Sequence, residues 1–370
     1  MAKHGENIYQ RKDGRWEGKY IRERVNGKIK YGYLAGKSYA EVLQRKQEKM
    51  RELERKGMIA PSDPLLMSGL SDRWLESQKG TLKETTIVKY SSILKNHILP
   101  EYGKRYVNDL TDDEVRLWIE GLTLPGHGRE RISPKSANAV ASVLRLIFRY
   151  ARTYCNATAP ELADVQMKQD KNQIEILSHS EQDVLKEYLM DNLNLSNLGI
   201  LSTLYTGVRL GEICALRWGS INANDELLDV HATMSRISTD DPLRRTRIVI
   251  TPPKSACSTC MIPIPADLLR LMQSMRRMDD SFFLTGDVVE YMDPRTMENR
   301  FKAALSACGI REVKFHALRH TFATNCVELG FDVKSLSEIL GHANITVTMN
   351  RYVHPTILMK KDYMDRLSLT

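Results

Sequence analysis

The sequence predicts a multidomain chain, mainly α with small β-sheets. It would run from an N-terminal three-stranded sheet plus helix, through a helical domain, to a mixed α+β domain. Three observations support that class. Half-alternating apolar runs flank Asp13-Gly14 and Asn26-Gly27, both strong hairpin signals, within residues 7–36. Residues 65–154 read as helical throughout. Beyond residue 174 a helix is followed by strand-like runs and then by a helical second half. At 370 residues the chain is long enough for two or three separate cores. The expected domains are 1–60, 65–155 and 174–370.

The elements follow in order. After the strands of residues 7–36, Lys37 to Lys56 forms a polar-rich amphipathic helix. The segment GMIAPSDP, Gly57 to Pro64, is a linker by composition. Helices are expected near Leu65–Gln78, Lys83–His97, Thr111–Gly121 and Ser133–Tyr154; Ser133-Pro134 supplies a cap and a proline at the first helical position. SEQDVLKEYLM opens the last domain as a helix. ELLDVHATMSRIS and RRTRIVITPPKSACSTCMIPIP are its strands, and from Asp293 onward the pattern is helical.

Composition narrows the function. Residues 1–60 hold 16 Lys+Arg against 8 Asp+Glu, while the remaining 310 residues carry no net charge. All the excess positive charge therefore sits at the N-terminus, which points to a polyanion, most simply nucleic acid. Tyr9, Trp16, Tyr20, Tyr31 and Tyr33 accompany it; they serve either as the minimal core of a small domain or as a strand face entering a DNA groove. Candidate DNA contacts are Arg11, Lys12, Arg15, Trp16, Lys19 and Lys28 in the basic domain. Lys89, Lys135 and Arg145 are the candidates on the helices, where a solvated face explains basic residues equally well. No apolar run approaches the ~18 residues of a membrane span, and the N-terminus lacks the apolar stretch of a signal peptide. Six scattered cysteines suit a reducing cytosol. Cys257-x-x-Cys260, with no second pair nearby, is a weak zinc signal, and no metal site is expected.

Four pieces of the last domain belong together. LYTGVRLGEICALRW places Arg209 between Gly207 and Gly211 before a short helix, and the glycines are expected to let backbone and a phosphate approach closely. Lys254 in ITPPKSA should stand at a hairpin tip. HALRH sets His316 and Arg319 on one helix face, with His320 about 100° around and read as structural or as a support to the site residues. LGHANITVTMNRYVH has Gly341 ending a helix, His342 directly after it, and Tyr352 ten residues on. Cationic and proton-carrying groups gathered with hardly any acid suit a phosphate better than a metal.

The order Arg209, Lys254, His316-x-x-Arg319, His342, Tyr352 resembles the tyrosine recombinase (phage integrase) family. TTIVKYSSILKNHILPEYG is similar to the core-type DNA-binding domain of that family, and the basic start resembles the arm-type DNA-binding domains of integrases. The resemblance implies a helical core-binding domain before a mixed α+β catalytic domain. It also implies a chemistry. Arg209 and Arg319 would fork onto non-bridging phosphate oxygens. Tyr352 would be the nucleophile; its ordinary pKa near 10 calls for a base, which the family assigns to His316. Lys254 would protonate the departing 5′-oxygen, and His342 would bind the phosphate or orient the nucleophile. Glu212 either orients a catalytic neighbour or pairs with a surface arginine.

The expected product is a 3′-phosphotyrosyl link plus a 5′-hydroxyl, formed without ATP, metal or cofactor. The expected partners are double-stranded DNA at core and arm attachment sites and a homotetramer assembled on it, with no membrane. An accessory DNA-bending or directionality protein is left open. The setting is the cytoplasm of a bacterial host, and the role is integration and excision of a mobile element. The rivals are a chromosome-dimer-resolving recombinase, a type IB topoisomerase and a non-catalytic DNA-binding regulator of the same fold. The amphipathic end, TILMKKDYMDRLSL, is expected to pack on its own domain or on a neighbouring protomer.

Overall fold

The computed structural model describes residues 8–11, 13–25, 28–55, 65–124, 131–168, 174–239, 241, 244–252, 260–342, 344–352, 361 and 364–365. Lys12, Lys254 and Cys257 lie outside the described residues, as does most of the C-terminal segment. The chain divides into two compact units, Met1–Asp170 and Lys171–Thr370.

The first unit begins with an antiparallel sheet of β1 (Ile8–Gln10), β2 (Trp16–Val25) and β3 (Lys28–Gly36), in that order. The Asp13-Gly14 turn forms as expected, with Gly14 in the left-handed region at φ 82°. Helix α1 (Tyr39–Arg55) packs on one sheet face through fully buried Val42, beside buried Ile8. Register places Glu17 opposite Tyr9 and Lys19 opposite Tyr33, so these residues and Tyr31 share the other face. Tyr9, Tyr31 and Tyr33 are exposed there, and the Lys19 ammonium sits 3.6 Å above the Tyr31 ring. Trp16 corrects an expectation. It points to the helix side and packs edge-on against Tyr39, with centroids 5.3 Å apart.

The helices of this unit are α2 (Met67–Gln78), α3 (Glu84–Ile93), α4 (Leu99–Tyr102), α5 (Asp112–Gly121) and α6 (Pro134–Tyr154). A wide π-helical turn, Leu94–Ile98, joins α3 to α4. Thr111 and Ser133 cap α5 and α6 by accepting the amides of Glu114 and Ser136. Along α6, Ala137, Val140, Ala141, Leu144, Ile147, Phe148 and Ala151 form one buried stripe at helical spacing, and it meets Met67, Leu70, Trp74, Ile98 and Ile119.

Lys89 and Lys135 are exposed, but Arg145 corrects a second expectation. Its guanidinium is taken up by the carbonyls of Leu162, at 2.7 Å, and of Val165. It anchors the segment after α6 and has little left to offer a phosphate. Arg145→Ala should therefore lower unfolding free energy by about 1–3 kcal/mol, because two carbonyls lose a charged donor. Lys135→Ala should stay within about 0.5 kcal/mol. Urea titration of the full chain checks the contrast, and equal effects would remove the structural role from Arg145.

The second unit contains α7 (His179–Asp191), α8 (Leu195–Thr206), α9 (Leu210–Ala215), α10 (Ala266–Ser274), α11 (Pro294–Ala307), α12 (His316–Glu328), α13 (Val333–Ile339) and α14 (Ile345–Tyr352). Ser178 and Glu181 close a capping box on α7. Helix α8 is buried around nearly its whole circumference and lies in the core beside Trp218, Phe283, Phe301 and Leu318. Strands β4 (Ile221–Asn222), β5 (Leu227–Val230) and β8 (Cys260–Pro263) form one sheet; β6 (Thr233–Ser238) and β7 (Thr246–Thr251) form another. The strands flanking Lys254 thus pair in different sheets, β7 with β6 and β8 with β5, where a hairpin of the two was expected. A smaller cluster of Ala323, Cys326, Leu336, Leu340 and Tyr352 joins α12, α13 and α14.

Candidate active site

The site is assembled around the end of α13. Gly341 adopts φ 57° and donates to the Glu338 carbonyl at 2.9 Å, while the His342 amide donates to Ser337 at 3.0 Å. That pair of bonds is a Schellman termination. It turns the chain so that the Leu340 and Gly341 carbonyls, at the negative end of the helix dipole, face two guanidiniums. Arg209 donates from one Nη to both carbonyls at 3.2 Å. Arg319 donates to Leu340 as well, and to the Gly207 carbonyl at 2.7 Å.

Arg209 stands at the cap of α9 with 37% of its side chain exposed. Glu212, one turn into α9 and buried, takes the Arg209 guanidinium at 2.6 Å and its backbone amide at 2.8 Å. Of its two expected roles, the structure favours orientation of Arg209 over a surface pairing, because a buried carboxylate is held by the charge it fixes. The flanking glycines are required by the packing around Arg209. Gly207 ends α8 at φ 69° with Phe322 against it, and a Cβ on Gly211 would lie 2.5 Å from the Met234 carbonyl oxygen.

Arg319 is only 3% exposed, and its second Nη lies 3.2 Å from His342 Nε2. A guanidinium only donates, so Nε2 carries the lone pair and Nδ1–H donates to Thr348 Oγ1 at 2.8 Å. Thr348 is fully buried in α14 and fixes the ring. His316 and His320, one turn apart on α12, meet edge-on with centroids 4.4 Å apart. Burial first, then neighbouring positive charge, depresses all three imidazoles to about 4: Arg319 leads for His316 and His342, and His316 followed by Arg351 for His320. At neutral pH the three rings are uncharged.

Tyr352 is 7% exposed, its ring in the small cluster and its hydroxyl 2.6 Å from His320 Nδ1. Burial pushes the phenol above its ordinary value, against the pull of Arg319, Arg351 and Arg209. The expected proton acceptor was His316; the histidine on the hydroxyl is His320. Sequence reasoning set His320 aside for its 100° offset from the Arg319 face. The only available signal was its ring chemistry, since the placement of α14 decides which face Tyr352 meets. Arg209, Glu212, Arg319, His342 and Tyr352 are thus brought together, with His316 linked through His320. Beside them a cleft of about 400 Å³ is lined by His316, His320, Arg351, Lys314, Glu175, Ile174 and Ala317.

The phage integrase family model matches residues 168–358, just over half of the chain, and the phage integrase N-terminal SAM-like domain matches residues 67–123. A tyrosine recombinase XerC-like protein of Caldanaerobacter subterraneus subsp. tengcongensis is 25% identical over 93% of both chains. A putative prophage phiRv2 integrase of Mycobacterium tuberculosis is 23% identical over 94% of this chain and 90% of its own. Among solved structures, the Tn1549 transposon integrase with transposon right end DNA superposes at TM-score 0.66 and 19% identity, over 82% of this chain and 99% of that one. A lambda integrase tetramer bound to a Holliday junction gives 0.58 at 18%, over 94% and 95%. The chain belongs to the phage integrase family of tyrosine recombinases, enzymes that cleave and rejoin DNA.

Proposed function

We propose that this protein is a site-specific recombinase that integrates and excises a mobile element through a 3′-phosphotyrosyl intermediate. The observation that carries the chemistry is the convergence of Arg209 and Arg319 on one helix end, with His342 and the Tyr352 cluster beside them. Two permanent cations held at fixed positions suit the extra negative charge of a pentacoordinate phosphorus. Tyr352 attacks the scissile phosphate, the 5′-oxygen leaves, and Lys254 supplies its proton. A second strand's 5′-hydroxyl then reverses the step. The reaction conserves the bond type, so it needs neither ATP nor a metal.

We assign residues 1–60 to arm-type sites, 65–155 to core sites and 174–370 to catalysis, with four protomers acting on two duplexes in a bacterial cytoplasm. The exposed aromatic and basic face of the N-terminal sheet supports the arm assignment: Tyr9, Tyr31, Tyr33 and Lys19 stand opposite the helix-covered side. On that account Arg11 and Arg15 contribute less, since each already pairs with a carboxylate, Glu17 and Asp13, at 2.8 Å. Lys28, Lys89 and Lys135 remain candidate phosphate contacts.

A second reading, resolution of chromosome dimers, is favoured by the XerC-like relative that aligns along nearly the whole chain. Substrate choice separates the two. An integrase recombines paired element and host sites that carry flanking arm repeats, and a resolving enzyme acts on a single core site without them.

Two predictions test the reading. On a nicked suicide duplex the wild type should leave a covalent protein–DNA adduct, which Tyr352→Phe abolishes while binding persists. Arg319→Lys, losing the planar fork, should slow adduct formation by about 10²-fold or more; an adduct from the Phe variant would move the nucleophile elsewhere. For the arm face, Lys19→Ala should reduce the steepness of the log Kd against log[salt] plot by about one. Tyr33→Ala should weaken arm-site binding with that slope unchanged, and fluorescence anisotropy across a salt series reads both.

A further inference from the structure

Tyr352 has a defined hydrogen-bond partner within the protein. Its ring is enclosed by Ala323, Cys326, Leu336 and Leu340, and its hydroxyl lies 2.6 Å from His320 Nδ1. The charged groups acting on that hydroxyl are Arg319, Arg351 and Arg209, all guanidiniums that donate and never accept. A phenol has one proton to give, and His320 Nδ1 is an acceptor placed to receive it. His316 stands one turn earlier on α12 and contacts the His320 ring edge-on at 4.4 Å.

Resting on the recombinase reading above, we propose that His320 is a catalytic residue: it holds the Tyr352 hydroxyl and takes its proton as the phenolic oxygen attacks phosphorus. The O–H bond breaks toward Nδ1, and the oxygen's electron pair forms the new P–O bond. The bond from phosphorus to the 5′-oxygen breaks, and that oxygen takes a proton from the Lys254 ammonium. Rejoining runs the same transfers backward, with His320 returning its proton to the departing phenolate. His316 is thereby left to the phosphate and to the ring of His320.

The surroundings suit a base that is free at rest. His320 faces His316 and Arg319 from its own helix, Arg351 and Tyr352 from α14, and His342 from the turn before α14. Glu175 and Lys314 line the adjoining cleft. Burial and the neighbouring guanidiniums hold the imidazole down to about 4, so it is neutral near pH 7, and with its proton on Nε2 the Nδ1 lone pair accepts from the phenol. A phosphodiester anion arriving between Arg209 and Arg319 offsets part of that positive charge. The imidazolium that forms during attack is then less disfavoured than in the protein alone.

The test is single-turnover cleavage of the nicked suicide duplex by the full-length protein between pH 5.5 and 9.5. His320→Asn keeps an amide near the Nδ1 position but cannot carry the proton. Wild type should show a rate nearly flat above pH 6. His320→Asn should cleave about 10²-fold more slowly at pH 7, rise roughly tenfold per pH unit as the phenol ionises unaided, and bind DNA as tightly as wild type. His320→Gln serves as the second variant if the Asn protein melts early, and the same loss and slope are expected of it. A wild-type rate and a flat profile in either folded variant would overturn the inference. So would the sloping profile appearing in His316→Asn alone, which would return the base role to His316. Absence of any adduct from the wild type sinks the recombinase reading itself; a wild-type adduct with an unaffected His320→Asn sinks only this assignment.

Discussion

The buried guanidinium of Arg319 is the constraint on which the rest of this site depends. A charged group with 3% exposure is tolerated only where its donors are met, and three different elements meet them. The end of α8 supplies the Gly207 carbonyl, the end of α13 the Leu340 carbonyl, and the turn into α14 the His342 ring. Each acceptor faces Arg319 because its own chain segment stops or turns there. Gly207 and Gly341, both left-handed, terminate α8 and α13 at the places that present those carbonyls. Loss of either termination would leave a buried charge short of acceptors, so the helix ends and the arginine are mutually required.

The same arrangement fixes the charge state of the site. Its permanent cations are the guanidiniums, which do not lose their protons, while burial and those cations hold His316, His320 and His342 neutral. The groups that stay charged are therefore distinct from the groups that can take up a proton. Glu212 is the buried acid of the constellation, and its carboxylate pairs with Arg209, whose orientation it sets.

Much of this was legible in the sequence, and the failures have physical causes. Arg209, Arg319, His342 and Tyr352 could be singled out from their side-chain types and motifs, and the structure brings them together around the end of α13. The strands around Asp13-Gly14 and the helix opening at Ser133-Pro134 could be read because turn and cap chemistry are local. Arg145 was misread because its acceptors, Leu162 and Val165, lie 17 and 20 residues further on, outside any local pattern. Trp16 was misread because facing the groove or the helix depends on register with β3, which fixes which side α1 covers. His320 was passed over because a helical wheel gives directions on α12 and says nothing about where α14 will come to rest.

That last dependence has a mechanical side. Tyr352 belongs to a satellite cluster of five buried residues, whereas α8 and α12 are anchored in a core running from Leu177 to Leu318. Local stability follows the apolar contact that holds an element. Helix α14 is eight residues long and exposes Ile345, Val347 and Met349, so it rests mainly on that cluster and on the bonds from Thr348 to His342 and from Tyr352 to His320. The guanidiniums of Arg209 and Arg319 sit on the firm side of this division and the Tyr352 phenol on the softer one. A small displacement of α14 can therefore re-aim the phenol while Arg209, Arg319 and the end of α13 stay where their hydrogen bonds hold them.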